Sequence, residues 1–407
     1  MNKNIGLITL CGLIIGPILG SGIVLLPPIA YSNIGDFAIL AWIIIMLLGI
    51  VFAYVFTFLS LESPGNEGVA IAVGNTLGLF FRDLCSNFLT TAVCFGPVAV
   101  LITASTFLKN IYFLKNVNLE WIALALIIIC ILVLIRGVKS IGKFNLIFTG
   151  FTAVILFFGS AYTLFFSSRF HPLQSTFSFS KFGYTLLLLF WAIVGWEVVG
   201  NYIEDIKNPK KTLMKAMTIS LIVITLLYLI VALSLQTFDG NTYDIISIMT
   251  PLLGSFAIPV IGIMASGLCI STYLMIVGGV TRMSAKRSEN NKLPSYLSKV
   301  NKHGSPVYAI ITLSCIHLFM LILVSYHVLN LDSLVSCANV FFLSNAIIGL
   351  SAGFKLLQNI KLKISILILI TSFTLLILKA DIWSKFLLII VFLLSLYLNK
   401  KATVMKD

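Results

Sequence analysis

Charge is what this sequence lacks most. Only 10% of its 407 residues are Asp, Glu, Lys or Arg, while 59% are hydrophobic and the mean hydropathy is +1.08. A water-soluble globular domain carries roughly a quarter charged residues, so that class is excluded. Acid is the scarcer sign, with 14 Asp and Glu against 27 Lys and Arg. Long polar stretches are missing too: no connection between apolar runs could hold a separate folded domain. The seven cysteines (Cys11, Cys85, Cys94, Cys130, Cys269, Cys315 and Cys337) include no C-x-x-C pair, and the four histidines form no metal spacing. A disulfide scaffold and a zinc site are thereby excluded, and small residues filling helix packing remain. No metal or cofactor is expected.

What the chain has instead is apolar runs of membrane length. Dividing it at charged or Pro/Gly-rich breaks gives about twelve, from one centred near Gly20 to one near Ile390. Each needs roughly twenty residues to cross a bilayer as a helix. The first run is too long for a signal peptide and has no small-residue cleavage site, so it reads as a retained span. With the N-terminus placed inside, 21 of the 27 Lys and Arg fall in loops on that side. The other side holds only Lys109, Lys115, Arg169, Lys181, Lys379 and Lys385. This asymmetry predicts both termini in the cytoplasm and an even number of spans. The basic excess is then a topology signal, and no nucleic acid is expected as a partner.

Two spans are interrupted. In the first, Gly20-Ser21-Gly22-Ile23 follows Gly16-Pro17 at the centre of an apolar run. A helix unwound there frees backbone N–H and C=O groups, which are tolerated only against protein or a water-filled cavity. In the sixth, Gly195 lies beside Trp196 and Glu197, with Gly200 beyond. Paired interruptions at corresponding positions of two halves point to a solute site built on an inverted repeat. The second falls five spans after the first, which predicts a five-plus-five repeat followed by two more spans. Residues 1–399 then form one transporter domain: a first repeat over about 5–167, a second over about 183–353, extra spans over about 361–399, and a cytoplasmic tail at 400–407. Glu197 is the only acidic residue deep inside a span. By default such a carboxylate marks a pathway or a proton relay; the bland alternative is that it accepts hydrogen bonds from N–H groups freed at the break.

At these residues the chain resembles the amino acid–polyamine–organocation superfamily of transporters. The first-span G-S-G-I, continuing as Val24-Leu25-Leu26-Pro27, is similar to that family's substrate loop. The sixth-span FWAIVGWE resembles its aromatic, short apolar, G-x-E pattern. Glu204-Asp205-Ile206-Lys207-Asn208-Pro209-Lys210-Lys211 is similar to its cytoplasmic loop, and Ser63-Pro64-Gly65-Asn66-Glu67-Gly68 to the loop after its second span, with Glu67 where a Gly is usual. Arg282-Met283-Ser284, Lys292-Leu293-Pro294 and Ser305-Pro306-Val307 resemble the loop after its eighth span. Within the superfamily, Leu331-Asp332-Ser333-Leu334, Ala338-Asn339 and Ala352 to Gln358 resemble the tenth span of bacterial exporters of methionine and branched-chain amino acids. The first and sixth spans also resemble the arginine/agmatine exchangers, but Pro97 aligns where those offer a polar Asn. Proton-coupled relatives often carry a Lys in the fifth span. Here Phe148-Thr149 and Thr152 stand in that region, which leaves Glu197 as the coupling candidate.

An amino acid presents a carboxylate and an ammonium. A half-helix N-terminus offers free N–H groups and the positive end of a dipole to the first; Ser21, Gly22 and Ile23 are the candidates, with Gly20 allowing close approach. The resemblance implies that carbonyls of Ile18, Trp191 and Val194 take the ammonium, and that Trp191, Val194, Gly195, Tyr273 and the Pro97 region line the side-chain pocket. Trp191 is either a gate over the substrate or an aromatic that packs the bundle. His317, in the ninth span, falls outside this site, and Lys379 and Asp381 are expected to anchor span ends by snorkelling. The predicted function is secondary active transport of a neutral, hydrophobic amino acid, coupled to protons or by exchange. The partners are that small molecule, protons and the lipid bilayer of a bacterial inner membrane, and the protein itself is a monomer or a homodimer. A cationic amino acid or polyamine antiporter is the alternative. A membrane enzyme is disfavoured because Glu197 has no catalytic partner at helical spacing, and a channel because no polar stripe or filter loop is present.

Overall fold

The computed structural model describes residues 6–62, 69–136, 141–169, 174–196, 206, 208–240, 242–290 and 292–404. Among these there is no β-strand longer than one residue, and the Ser168–Phe238 bridge is isolated. Helix is the outcome lipid enforces, because it satisfies backbone donors and acceptors within the segment itself.

The first span is two helices, α1 (Leu7–Leu19) and α2 (Gly22–Ile34). The second is α3 (Ala38–Glu62). A short helix, α4 (Val69–Leu77), precedes the third span, α5 (Leu79–Lys109). The fourth is α6 (Leu119–Arg136), the fifth α7 (Ile141–Phe166), and the sixth opens as α8 (Phe179–Leu189). The seventh is α9 (Pro209–Thr237). A nine-residue helix, α10 (Ile245–Leu253), leads to the eighth, α11 (Ala257–Glu289). Then follow α12 (Val307–Ser325), α13 (Leu331–Leu356), α14 (Ile360–Lys379) and α15 (Ile382–Val404). The apolar stretch Leu10–Glu62 is 53 residues long, about 80 Å of helix, so it must cross a 30 Å hydrocarbon layer twice. With that stretch counted as two and α8 as the start of another, the protein is the all-α chain of about twelve spans expected, its first and sixth broken.

Burial separates centre from rim. In the most apolar windows of α5 and α13, 78% of residues are buried, against 11% in α15. The bundle is therefore built round α5, α11 and α13, and α15 turns side chains such as Phe386, Leu393 and Leu398 outward. All seven cysteines are free; Cys315 is exposed on α12 and the others are at least partly buried, as packing residues.

Polar contacts tie the spans together at both ends. On the face reached by the C-terminus of α2, Asp36 Oδ2 accepts the N–H groups of Gln174 (2.8 Å) and Ser175 (2.9 Å). Gln236, at the end of α9, donates to the Asp36 carbonyl (2.9 Å) and accepts the Ile39 N–H (3.0 Å). Tyr31 and Tyr243 pack with ring centroids 4.6 Å apart. On the opposite face Lys292 pairs with Asp83 at 2.5 Å. Arg287 donates to Asn87 Oδ1 (2.8 Å), and Asn87 donates to Ser395 Oγ (2.8 Å), which joins α15 to α5.

Asp381 departs from the snorkelling expectation. Its carboxylate accepts the Ser384 N–H (2.8 Å) and hydroxyl (2.6 Å) and the Ser336 hydroxyl (2.8 Å), tying α13 to α15. Burial pushes this carboxyl up, but those hydrogen bonds outweigh it and hold it below the usual carboxylate range. The short turn after Lys379 places the side chain within reach of its own helix start, where capping is favoured over extension into water. Lys379 itself lies 4.5 Å from the Phe179 ring centroid.

Candidate functional site

The first break is made by two residues. Gly20 takes φ +35° and ψ −137°, a conformation that a side chain would strain. Its N–H still closes α1 on the Gly16 carbonyl (2.9 Å), and Ser21 follows before α2 begins. Ser21, Gly22 and Ile23 form the N-terminal turn of α2, where backbone N–H groups have no partner within the helix. Among the described residues no backbone acceptor takes them. The positive end of the α2 dipole and the negative end of the α1 dipole thus meet at one buried point.

The second break lies against the first. After α8 the chain tightens into a 3-10 turn over Phe190–Ile193. Val194 then becomes extended and Gly195 takes φ +120°. A Cβ added at Gly195 would sit 3.1 Å from Ile18 Cγ1. Trp191 bridges the two breaks, its indole Nε1–H donating to Ser21 Oγ at 3.2 Å. The far edge of its ring reaches Gly96 on α5, where an added Cβ would fall 2.7 Å from Trp191 Cη2. Phe342 of α13 meets the same indole edge-on, with centroids 6.1 Å apart. Trp191 therefore roofs the break with an apolar plane and a single N–H.

Donors from neighbouring spans hold the carbonyls that the breaks expose. The Tyr228 hydroxyl of α9 donates to the Ile18 (3.1 Å) and Leu19 (3.2 Å) carbonyls, and its ring stacks on Trp42 of α3 at 4.8 Å. At the other break, Asn339 Nδ2 of α13 donates to the Leu187 (2.7 Å) and Leu188 (3.2 Å) carbonyls. Both capping side chains are fully buried. The first pairing follows from the rule that freed backbone groups inside a membrane must find protein partners; at the second, the Phe190 N–H shares the Leu187 and Leu188 carbonyls with Asn339.

The expected site residues divide accordingly. Ile18, Gly20, Ser21, Gly22, Ile23, Trp191, Val194 and Gly195 come together at the paired breaks. Pro97 follows Gly96 on the α5 wall. Tyr273, expected in the pocket, instead directs its hydroxyl to His317 Nδ1 on α12 at 2.8 Å. Glu197 lies outside the described residues. Tyr228 and Gly96 did not emerge from sequence reasoning. The one signal for Tyr228 is a phenol deep within the seventh span, since a buried tyrosine hydroxyl needs a partner.

A family model described as amino acid permease matches residues 5–399. The chain belongs to the amino acid permease family. Among curated relatives, this permease is 22% identical to the L-methionine/branched-chain amino acid exporter YjeH of Escherichia coli K12, over 88% of its own length and 87% of the relative's. It is 22% identical to the cadaverine/lysine antiporter of the same strain, over 75% and 71%. It is 24% identical to the serine/threonine exchanger SteT of Bacillus subtilis, over 72% and 70%. These relatives are transporters, in keeping with a multi-pass membrane protein whose central feature is a pair of facing half-helix ends.

Proposed function

We propose that this permease carries a neutral, hydrophobic amino acid across a bacterial inner membrane by alternating access, with methionine, leucine, isoleucine and valine as the first candidates. One observation carries the reading. The free N–H end of α2 suits a carboxylate, the carbonyl end of α1 suits an ammonium, and among the described residues the side chains against them, Ile18, Ser21, Trp191, Tyr228 and Thr272, carry no charge. A guanidinium or second ammonium placed among such side chains would be unpaired in a low-dielectric site, which is strongly disfavoured. The methionine and branched-chain exporter, matched over most of both chains, supports the same substrate class.

We read residues 1–399 as one transporter domain, with the two repeats and extra spans bounded as given above. Both termini are placed in the cytoplasm on the 21-to-6 distribution of Lys and Arg. Glu197, which the sequence pattern puts within the sixth apolar run, is assigned the coupling role. A cationic antiporter is the second reading, favoured by the cadaverine/lysine relative, by the likeness of the first and sixth spans to the arginine/agmatine exchangers, and by Glu197 as a carboxylate that could pair with a cation.

Uptake of radiolabelled leucine into proteoliposomes, with unlabelled competitors and with or without a pH gradient, tests these points. Methionine, isoleucine and valine should displace leucine at least tenfold better than arginine, lysine, agmatine or cadaverine; the reverse order would establish the cationic reading. Glu197→Gln should flatten the pH dependence of uptake, and an unchanged profile would remove the coupling role.

A further inference from the structure

Pro97 lies inside α5 and has no backbone N–H. The Val93 carbonyl, four residues earlier, therefore loses its helical donor at a depth where water is absent, and a neighbouring helix must replace it. His317 of α12 does so. Its Nε2 is 2.8 Å from the Val93 oxygen, and its Nδ1 is 2.8 Å from the Tyr273 hydroxyl of α11. Both side chains are fully buried. A carbonyl only accepts, so Nε2 carries the proton; in the neutral ring Nδ1 then accepts, and the Tyr273 hydroxyl donates. Three spans are joined by one chain of hydrogen bonds that begins at a gap in the α5 ladder.

That gap lies next to the substrate region. Gly96, one residue before Pro97, is the point where the Trp191 ring meets α5, close enough that even a methyl group would displace it. We propose that His317 is a positioning residue for transport: it supplies the hydrogen bond that Pro97 deletes, and so holds the Gly96 wall in register with Trp191 over the break at Ser21 and Gly22. It touches no substrate. It acts through the α5 backbone, with Tyr273 fixing the tautomer and orientation of its ring. The proposal rests on reading the Ser21–Trp191 region as the transport site.

A double-mutant cycle isolates the idea, because Pro97→Ala restores the N–H that would bond Val93 within the helix. In the wild-type background, His317→Phe should lower kcat/KM for leucine about tenfold, the effect of one buried carbonyl left unpaired, with KM carrying most of the change. His317→Gln, which keeps a donor, should recover part of the loss. In the Pro97→Ala background, whatever that change does by itself, His317→Phe should cost less than about twofold. The melting temperature of the detergent-solubilised protein should follow the same pattern of suppression. Histidine labelled with 15N should show, for the signal lost in His317→Gln, a protonated Nε2 and an unprotonated Nδ1. Equal losses from His317→Phe in both backgrounds, in transport and in melting, would overturn the proposal. A wild-type protein that transported no amino acid would instead refute the transport reading, while the melting cycle and the nitrogen signals would still decide the hydrogen bond.

Discussion

Gly22→Leu should reach the membrane in normal amount and transport nothing measurable. A Cβ at position 22 would lie 2.5 Å from Tyr228 Oη and 3.4 Å from Trp191 Cδ1. The first distance is too short for any carbon to occupy, and three further carbons of leucine would follow. The Tyr228 hydroxyl holds the Ile18 and Leu19 carbonyls, and Trp191 bonds Ser21, so relief in either direction breaks a contact that shapes the break. Overpacking of this kind costs about 1–3 kcal/mol, and here the strain falls where a substrate must approach the backbone. Uptake below about 1% of wild type is therefore expected, with Gly22→Ala reduced about tenfold by the same collision with a single carbon. Insertion is checked by gel filtration of the solubilised protein. Transport within twofold of wild type in the leucine variant would remove the Ser21–Ile23 turn from the site.

Tyr228→Phe tests the other end of the dipole pair. The ring should stay stacked on Trp42, because nothing apolar is lost, while two carbonyls at the end of α1 lose their donor in a buried setting. Each carbonyl has two lone pairs and a single O–H serves both, so the hydroxyl orients these groups without exhausting them. The expected result is a KM for leucine raised about tenfold, the scale of one unpaired buried polar group, with kcat changed less than threefold. A lowered KM would mean that the hydroxyl competes with the substrate ammonium for the same carbonyls.

The sequence shows the span count and both breaks because each is a local property: apolar length in the one case, glycine clusters within it in the other. What it hides is what fills the gaps. Tyr228 and Asn339 come from spans seven and ten to bond carbonyls in spans one and six; Ala338-Asn339 stands out only as part of the tenth-span resemblance, and nothing around either residue tells which carbonyls it meets. Pro97 is legible as a missing side-chain donor, yet its main consequence is a missing backbone donor, met by a histidine 220 residues away that sequence reasoning placed outside the site. Gly96 could be recognised only once the far edge of Trp191 was located.

The bonds around Asp36 set a threshold for motion. Gln174, Ser175 and Gln236 together contribute five hydrogen bonds binding the segment after α2 to α9 and to the segment before α8. At about 1 kcal/mol net each, their joint rupture would leave the parted form at about one molecule in five thousand. Were the transport cycle to part this rim, the cargo would have to supply the difference through contacts it makes only on the way across. A few amide protons at the rim would then set how seldom the carrier crosses empty, and the exchange rates of the Gln174 and Ser175 amides would report how often that rim lets go.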